Sequence, residues 1–497
     1  MIALSNATLS GLGSKVRVPG YDRAAVRPGI VHFGVGNFHR THQAVYVDDC
    51  LHRPGCEGWG IVGIGMTDGP AALAKAAAFR AQDCLYTVTE FAPDGATHIR
   101  VIGAMVGYLH APTEAMAVID VLAHAETRIV TLTITEGGYN LSEVDGAFRL
   151  DNPDVAHDLA GGPPRSVFGL VVSALARRRA AGLPGFTIAS CDNLRRSGDT
   201  TRAAFVAFAH AVDPALAAWI DGEVDFPNAM VDRIAPQTTD ASRAGLNARS
   251  GVDDRLPAAA ETYIQWVVKD RFRHGRPPLE AVGVEFSDRV AEYVAVKGRM
   301  LNGAHMMLAY PAALCGYRIV SDAMADPRFV RLLTAFLERD VIPYIQPPPG
   351  IEPHAYMAMV LDRFGNPATE DQVLRVAGDG AAKLPIYHSK TLSTLVEANA
   401  DIRREAFLLA CFARYLKARD DRSIRDDRGG GFAVLEPGLT VADWDEVNEG
   451  DPVAVLRTSP FQALGLDRHP AFRAAYEGFY AALVRDGASR TLDAVLA

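Results

Sequence analysis

Residues 29–40 read GIVHFGVGNFHR. The stretch begins as an apolar, β-branched run, the pattern of a strand buried on both faces of a parallel sheet. It ends in Gly34-Val35-Gly36, and residues 38–52 follow with a helical pattern. A glycine turn between such a strand and such a helix lets backbone N–H groups and the helix N-terminus approach a pyrophosphate. Gly34, Gly36, Phe38 and Arg40 are therefore candidate cofactor contacts. The third glycine of the usual dinucleotide fingerprint is absent, with Arg40 one place beyond its position, so the flanking pattern has to carry the assignment.

Working outward, GIVGIG at 60–65 is a second buried strand, and Met66-Thr67-Asp68 follow it. An acidic residue closing the second strand is expected to bind the adenosine ribose, and Asp68 suits that role. Its charge would repel a 2′-phosphate, which favours NAD over NADP. Asp48 and Asp49 come too early, on the first helix. The structural alternative for Asp68 is a helix N-cap. Residues 70–80 and 165–181 read as helices, and strand-like runs recur at 84–90, 97–103, 129–135 and 186–190. Two of these runs end in polar groups, Glu136 and Asn193. The alternation predicts an α/β domain over 1–287, with a Rossmann-type doubly wound parallel sheet. Ligands of such sheets sit at the carboxyl ends of the strands, where the Gly34 loop, Asp68, Glu136 and Asn193 all fall. From about residue 288 the pattern turns helical (293–316, 327–345, 353–363, 368–377, 391–399, 403–418 and 470–484), which predicts a mostly α-helical second domain over 288–497. The loop QPPPG at 346–350 and the charged stretch 419–431 interrupt it.

A chain of 497 residues is too long for one core. Its composition is ordinary for a globular protein, and a net charge of −9 with no basic stripe argues against a nucleic-acid surface. The six cysteines are scattered with no C-x-x-C pair, so neither a zinc site nor a disulfide framework is indicated, and a reducing, cytoplasmic compartment fits. The first residues, MIALSNATLSGLG, lack the basic and apolar segments of a secretory signal, and no apolar run reaches membrane-spanning length.

The chemistry concentrates in residues 292–321, EYVAVKGRMLNGAHMMLAYPAALCGYRIVS. On an ideal helix Asn302 and His305 are neighbours at i, i+3. Lys297 lies about 80° round from His305 and about 140° from Asn302, at roughly 100° per residue. A lysine stem can swing over that gap, so the three heads can meet at the lip of one pocket. Desolvation beside a cationic nicotinamide would lower the Lys297 pKa and let it take a proton from an alcohol. The amides of Asn302 and Asn193 can hold the developing alkoxide, and His305 can orient the hydroxyl or the lysine. The structural alternative is a buried helix with a snorkelling lysine and a satisfied core histidine. Tyr293-x-x-x-Lys297 also matches the catalytic pair of short-chain dehydrogenases, but it falls outside the α/β part and the glycine spacing differs.

The ordered motifs GIVHFGVGNFHRTHQAVYVD (29–48), TLTITEGGY (131–139), FTIASCDNL (186–194), FPNAMVDRI (226–234), KGRMLNGAHMML (297–308), RFGNPATEDQVLRVAGDGAAK (363–383) and LPIY (384–387) give the chain a family resemblance. It resembles the polyol-specific long-chain dehydrogenases, and among them the mannitol 2-dehydrogenases, over most of its length. The resemblance implies a Rossmann domain, a helical domain, and NAD-linked interconversion of a polyol and its ketose without a metal, usually by a monomer. It places the catalytic lysine at Lys297, the oxyanion asparagines at Asn193 and Asn302, and the histidine at His305. It places polyol-binding groups at Asp232, Arg375 and Lys383, which otherwise read as surface ion-pair partners.

Two departures from the family pattern stand out. Val294 occupies the place of a glutamate near a proton path, and Leu384-Pro385-Ile386-Tyr387-His388-Ser389-Lys390 replaces the usual P-K-F-hydrophobic-x-P stretch. D-Mannitol and D-fructose lead as the expected substrate pair. D-Arabinitol 4-dehydrogenase, another hexitol dehydrogenase, and fructuronate or tagaturonate reductase share the machinery. A silent nucleotide-binding sensor is the alternative of a different class, and the joint presence of Lys297, Asn302 and His305 speaks against it.

Overall fold

The computed structural model describes residues 1–142, 146–419, 424–448 and 451–497; positions 420–423 of the charged 419–431 stretch therefore lie outside the described residues. The chain forms two compact units, Met1–Ala291 and Glu292–Ala497.

The first unit is built on five parallel strands: β1 (Pro28–Phe33), β2 (Gly60–Gly65), β3 (Met105–His110), β4 (Ile129–Leu132) and β5 (Thr187–Ser190). Their order is β3-β2-β1-β4-β5, so the sheet winds in opposite directions from β1. The continuous apolar runs have their cause here, because alternate residues enter two different cores. Ile30, Ile61 and Ile129 pack on one face with Tyr46, Trp59 and Trp266. Val31, Phe33, Ile64 and Leu132 pack on the other with Phe168 and Phe205. Helices α1 (Asn37–Thr41) and α2 (Gln43–Leu51) follow β1, α3 (Pro70–Ala81) follows β2, α4 (Ala111–Ala123) follows β3, and α5 (Val167–Ala180) precedes β5.

Three features differ from the expectation. The expected single helix over 38–52 breaks at His42 (φ −121°, ψ −88°). The strand β3 was not evident, because Gly107 and the half-buried pattern of MVGYLH disguise it. The runs expected as strands at 84–90 and 97–103 are Tyr86–Phe91 and Thr97–Ile102, but they lie outside the parallel sheet and pair antiparallel. The turn Pro93-Asp94-Gly95, with Gly95 at φ +86°, is too short for a crossover and closes them as a hairpin. They form the middle of a four-stranded mixed sheet.

Among the described residues the second unit has no strand, only an isolated bridge between Ile319 and Gln372. Its core gathers Met300, Met307, Leu308, Phe329, Phe336 and Phe412, all fully buried. The helix expected to begin at 391 begins at Gly380 and runs to Glu397, with Pro385 tolerated near its start. The run 293–316 is not one α-helix: Lys297–Asn302 is a π segment, followed by α6 (Gly303–Leu314). A second π segment spans Phe336–Val341.

Candidate active site

In the first unit the glycine loop leaves the carboxyl end of β1. Gly34 has φ +89°, and a Cβ there would stand 2.0 Å from the Thr133 carbonyl oxygen, so only glycine fits. Its N–H donates to the Ile64 carbonyl at 3.0 Å, and the Gly36 N–H donates back to the Gly34 carbonyl at 2.7 Å. Gly36 is extended and caps α1, where a Cβ would meet only the Gly34 carbonyl oxygen, at 3.8 Å. This bare-backbone cradle fits a pyrophosphate. Beneath it lies the neutral ring of His32, held by the Thr131 and Thr133 hydroxyls at 2.8 and 3.0 Å and stacked on His39 at 3.4 Å. Burial pushes His32 down to about 3. Lys75 of α3 donates to the Val35 carbonyl, and burial pushes its pKa down to about 8. Neither residue stood out in the sequence, because the contacts that define them are remote along the chain.

The other expected cofactor residues take distinct places. Phe38 stacks on His42 at 4.8 Å. Arg40 is buried, with its guanidinium donating to the Leu256 carbonyl and to Asn37 and lying over the Tyr86 ring. It is a strut under the loop. Asp68 is exposed after β2, and its carboxylate accepts from the Gly69 N–H at 2.7 Å; Gly69, not Asp68, is the N-cap of α3. Glu136 is exposed in a 3₁₀ turn beyond β4, and Asn193 is exposed beyond β5. Asp192 ties these two loops together, accepting from the Ile134 and Thr135 N–H groups and the Tyr139 hydroxyl at 3.0, 3.1 and 2.8 Å. Burial raises its carboxyl, and those hydrogen bonds pull it back. Asp232 ends a strand, β6 (Ala229–Asp232), opposite Gln265 and is buried, which is not the place of a surface ion-pair partner.

In the second unit the π segment changes the geometry of Lys297, Asn302 and His305. The Gly303 N–H donates to the Gly298 carbonyl, an i→i−5 bond. Such a turn takes more residues than an α-helical one, so it brings residue i+5 round toward the face of residue i. Lys297 and Asn302 therefore share one face, and the separation of about 140° expected for an ideal α-helix does not hold. Lys297 and His305 are buried and Asn302 is half-buried. The His305 ring stacks on Phe364 at 3.9 Å with an interplanar angle of 6°. Its Nε2 lies 3.9 Å from Oδ2 of buried Asp371, whose Oδ1 accepts from Arg375 Nε and Nη2 at 2.9 and 2.5 Å. Lys383 Nζ donates to the Gly378 carbonyl at 2.5 Å. The structure thus sets His305 beside the Asp371–Arg375 ion pair, and Asp371 is the residue that sequence reasoning missed.

Among the described residues one set of side chains has metal-like spacing, Asp48, Asp49 and His52. Protein groups already occupy it: Arg100 bonds both carboxylates, and Tyr21 and the Gly103 N–H also bond Asp48. All six cysteines are buried free thiols. No helix among the described residues is long and apolar enough to cross a membrane.

Comparison with known proteins follows this division. Residues 28–281 match the mannitol dehydrogenase Rossmann domain, and residues 289–454 match the mannitol dehydrogenase C-terminal domain. The chain is 46% identical over 436 residues to the polyol:NADP oxidoreductase of Gluconobacter oxydans (strain 621H), covering 87% of this chain and 88% of that one. It is 37% identical over 495 residues to the mannitol 2-dehydrogenase of Phaeosphaeria nodorum, covering 99% and 85%. Among solved structures it superposes on substrate-free D-sorbitol dehydrogenase with a TM-score of 0.90 and 41% identity, covering 99% and 100% of the two chains. On the Pseudomonas fluorescens mannitol 2-dehydrogenase ternary complex with NAD and D-mannitol the TM-score is 0.88 with 38% identity, covering 100% and 99%. The chain belongs to the mannitol dehydrogenase family.

Proposed function

We propose that the protein is an NAD-dependent polyol dehydrogenase that interconverts D-mannitol and D-fructose in the cytoplasm. The observation that carries this reading is the π turn that brings buried Lys297 and half-buried Asn302 onto one helix face, with His305 on the following turn. Lys297 Nζ takes the proton of the substrate hydroxyl as general base. The Asn302 amide donates to the alkoxide as it forms, and Asn193 is assigned a second donor of the same kind. His305, braced by Phe364 and Asp371, orients the hydroxyl. The nicotinamide, held through its pyrophosphate on the Gly34–Gly36 backbone, supplies the hydride acceptor. Asp232, Arg375 and Lys383 hold the remaining hydroxyls.

An uncharged polyol is favoured over a uronate by the partner of Arg375. The Arg375 guanidinium is matched by the Asp371 carboxylate, so it brings no unbalanced charge for a substrate carboxylate. The relatives also include a polyol oxidoreductase named for NADP, which makes the cofactor a separate question. Asp68 supports NAD. Asp68→Ala is expected to raise the NADP/NAD ratio of kcat/KM severalfold, because a negative charge facing the 2′-phosphate is removed. An unchanged ratio would show that another group reads the ribose.

The substrate assignment is tested by kcat/KM for D-mannitol, D-arabinitol, D-sorbitol, D-fructuronate and 2-butanol under one set of conditions. A site built to hydrogen-bond hydroxyls rejects an analogue that lacks them by about 10⁴–10⁵-fold. D-Mannitol should rank first and 2-butanol last by a wide margin. A preference of about 100-fold for fructuronate, close to 3 kcal/mol in transition-state binding, would make the protein a uronate reductase. Comparable turnover of 2-butanol would remove the case for a polyol site.

A further inference from the structure

We infer that one face of the helix Gly380–Glu397, presented by Tyr387, His388 and Thr391, sets the π turn that carries Lys297 and Asn302, with His388 as the positioning residue. The effect on turnover rests on the dehydrogenase reading above; the structural part does not. A π turn is rare within a helix, and something outside the helix has to select it over the α-helical register. Here the helix Gly380–Glu397 bonds the turn at Arg299 and at Gly303, the donor residue of its i→i−5 bond, and faces Gly298, the acceptor residue. His388 Nε2 donates to the Gly303 carbonyl at 3.1 Å, while its Nδ1 meets both carboxylate oxygens of Glu405 at 3.0 Å. A Cβ on Gly298 would lie 3.6 Å from the Tyr387 ring, in ordinary contact. Between the two, Arg299 Nε donates to the Thr391 hydroxyl at 3.2 Å. Residues 387 and 391 stand at i and i+4 with 388 one step on, so a helix face about 100° wide presents all three side chains to the turn.

His388 and Glu405 are 3% and 0% exposed, which makes their pairing an unusual choice for a core. Apolar side chains of similar volume would fill the same space as well or better for stability. What apolar groups cannot supply is a directed donor to the carbonyl of Gly303, the residue that follows Asn302 and opens α6. The surroundings fix the donor further. The Phe336 ring stacks on His388 at 5.5 Å and belongs to the second π segment. That segment is tied down by Arg404, the neighbour of Glu405, whose guanidinium donates twice to buried Asp340 at 2.6 Å.

Two substitutions separate positioning from simple stabilisation. In His388→Gln the amide nitrogen sits as far along the side chain as Nε2 and can keep the bond to Gly303, while buried Glu405 loses its partner. In His388→Asn the amide nitrogen matches Nδ1, so Glu405 stays paired and the Gly303 bond is lost. The inference expects His388→Asn to be the more heat-stable variant yet to lose about 10²-fold in kcat, the scale of a misplacement near 1 Å. Its dissociation constant for NADH should be unchanged. His388→Gln should restore turnover to within severalfold of wild type despite its lower melting temperature. Turnover that follows stability, or equal turnover in the two variants, would overturn the inference. If His388→Gln does not fold, the double variant His388→Gln/Glu405→Gln removes the buried charge and takes its place. Hydrogen exchange at the amides of 298–303 gives a readout without substrate: faster in His388→Asn, unchanged in the Gln variant. Absence of polyol turnover in the wild type would count against the proposed function, while exchange equal in both variants would count against His388.

Discussion

Lys297→Ala is expected to lower kcat by about 10²–10⁴-fold, the usual cost of removing a positioned general base. Its affinity for NADH should be unchanged. The two effects separate because the groups assigned to the nucleotide, the Gly34 loop and Asp68, belong to the first unit, whereas Lys297 lies in the second. Lys297 is 8% exposed on a helix whose surrounding core is apolar, so the position offers little water to stand in as base. A steady-state assay with D-mannitol and NAD, beside a titration of NADH fluorescence, checks both halves. Retention of about half the wild-type turnover would remove Lys297 from the chemistry.

Asn302→Ala is expected to cost about 10²–10³-fold in kcat, the range for deleting one donor to an oxyanion. The effect depends on the π turn. In an α-helix Asn302 would point about 140° away from Lys297, and the two could not serve one oxygen without a long reach. With the i→i−5 bond at Gly303, Asn302 comes onto the same helix face as Lys297. The loss should appear in kcat more than in KM, since the donor is needed most when charge develops. Asn302→Asp should be no better, because a carboxylate in that place repels an alkoxide. A variant with normal kcat and raised KM would make Asn302 a ground-state binding group instead.

The sequence was most legible where burial makes a continuous signal. The runs that became β1, β2, β4 and β5 are buried on both faces, and the glycine turn after β1 could be placed from its flanks alone. The strand β3 was hidden because Gly107 and half-buried positions break its run. The hairpin strands passed for members of the parallel sheet, since strand patterns carry no direction; the turn Pro93-Asp94-Gly95 was the signal that they pair antiparallel. The π turn had no signal, because KGRMLN contains nothing that separates an i→i−5 bond from an i→i−4 bond. The residues that brace the candidate site were hidden for a related reason. Asp192 works through Ile134, 58 positions away, and His388 through Gly303, 85 positions away. Periodicity reports on a residue's own element, and these contacts exist only once distant elements pack.

Most direct is the fate of a labelled hydrogen. D-Mannitol carrying deuterium at the carbon to be oxidised, incubated with the protein and NAD, should yield NADH with that deuterium on the nicotinamide ring, seen by mass spectrometry. Turnover of the labelled polyol should also be slowed if hydride transfer limits the rate. Appearance of the deuterium in water instead, or no reduced nicotinamide with any polyol of the panel, would contradict the account.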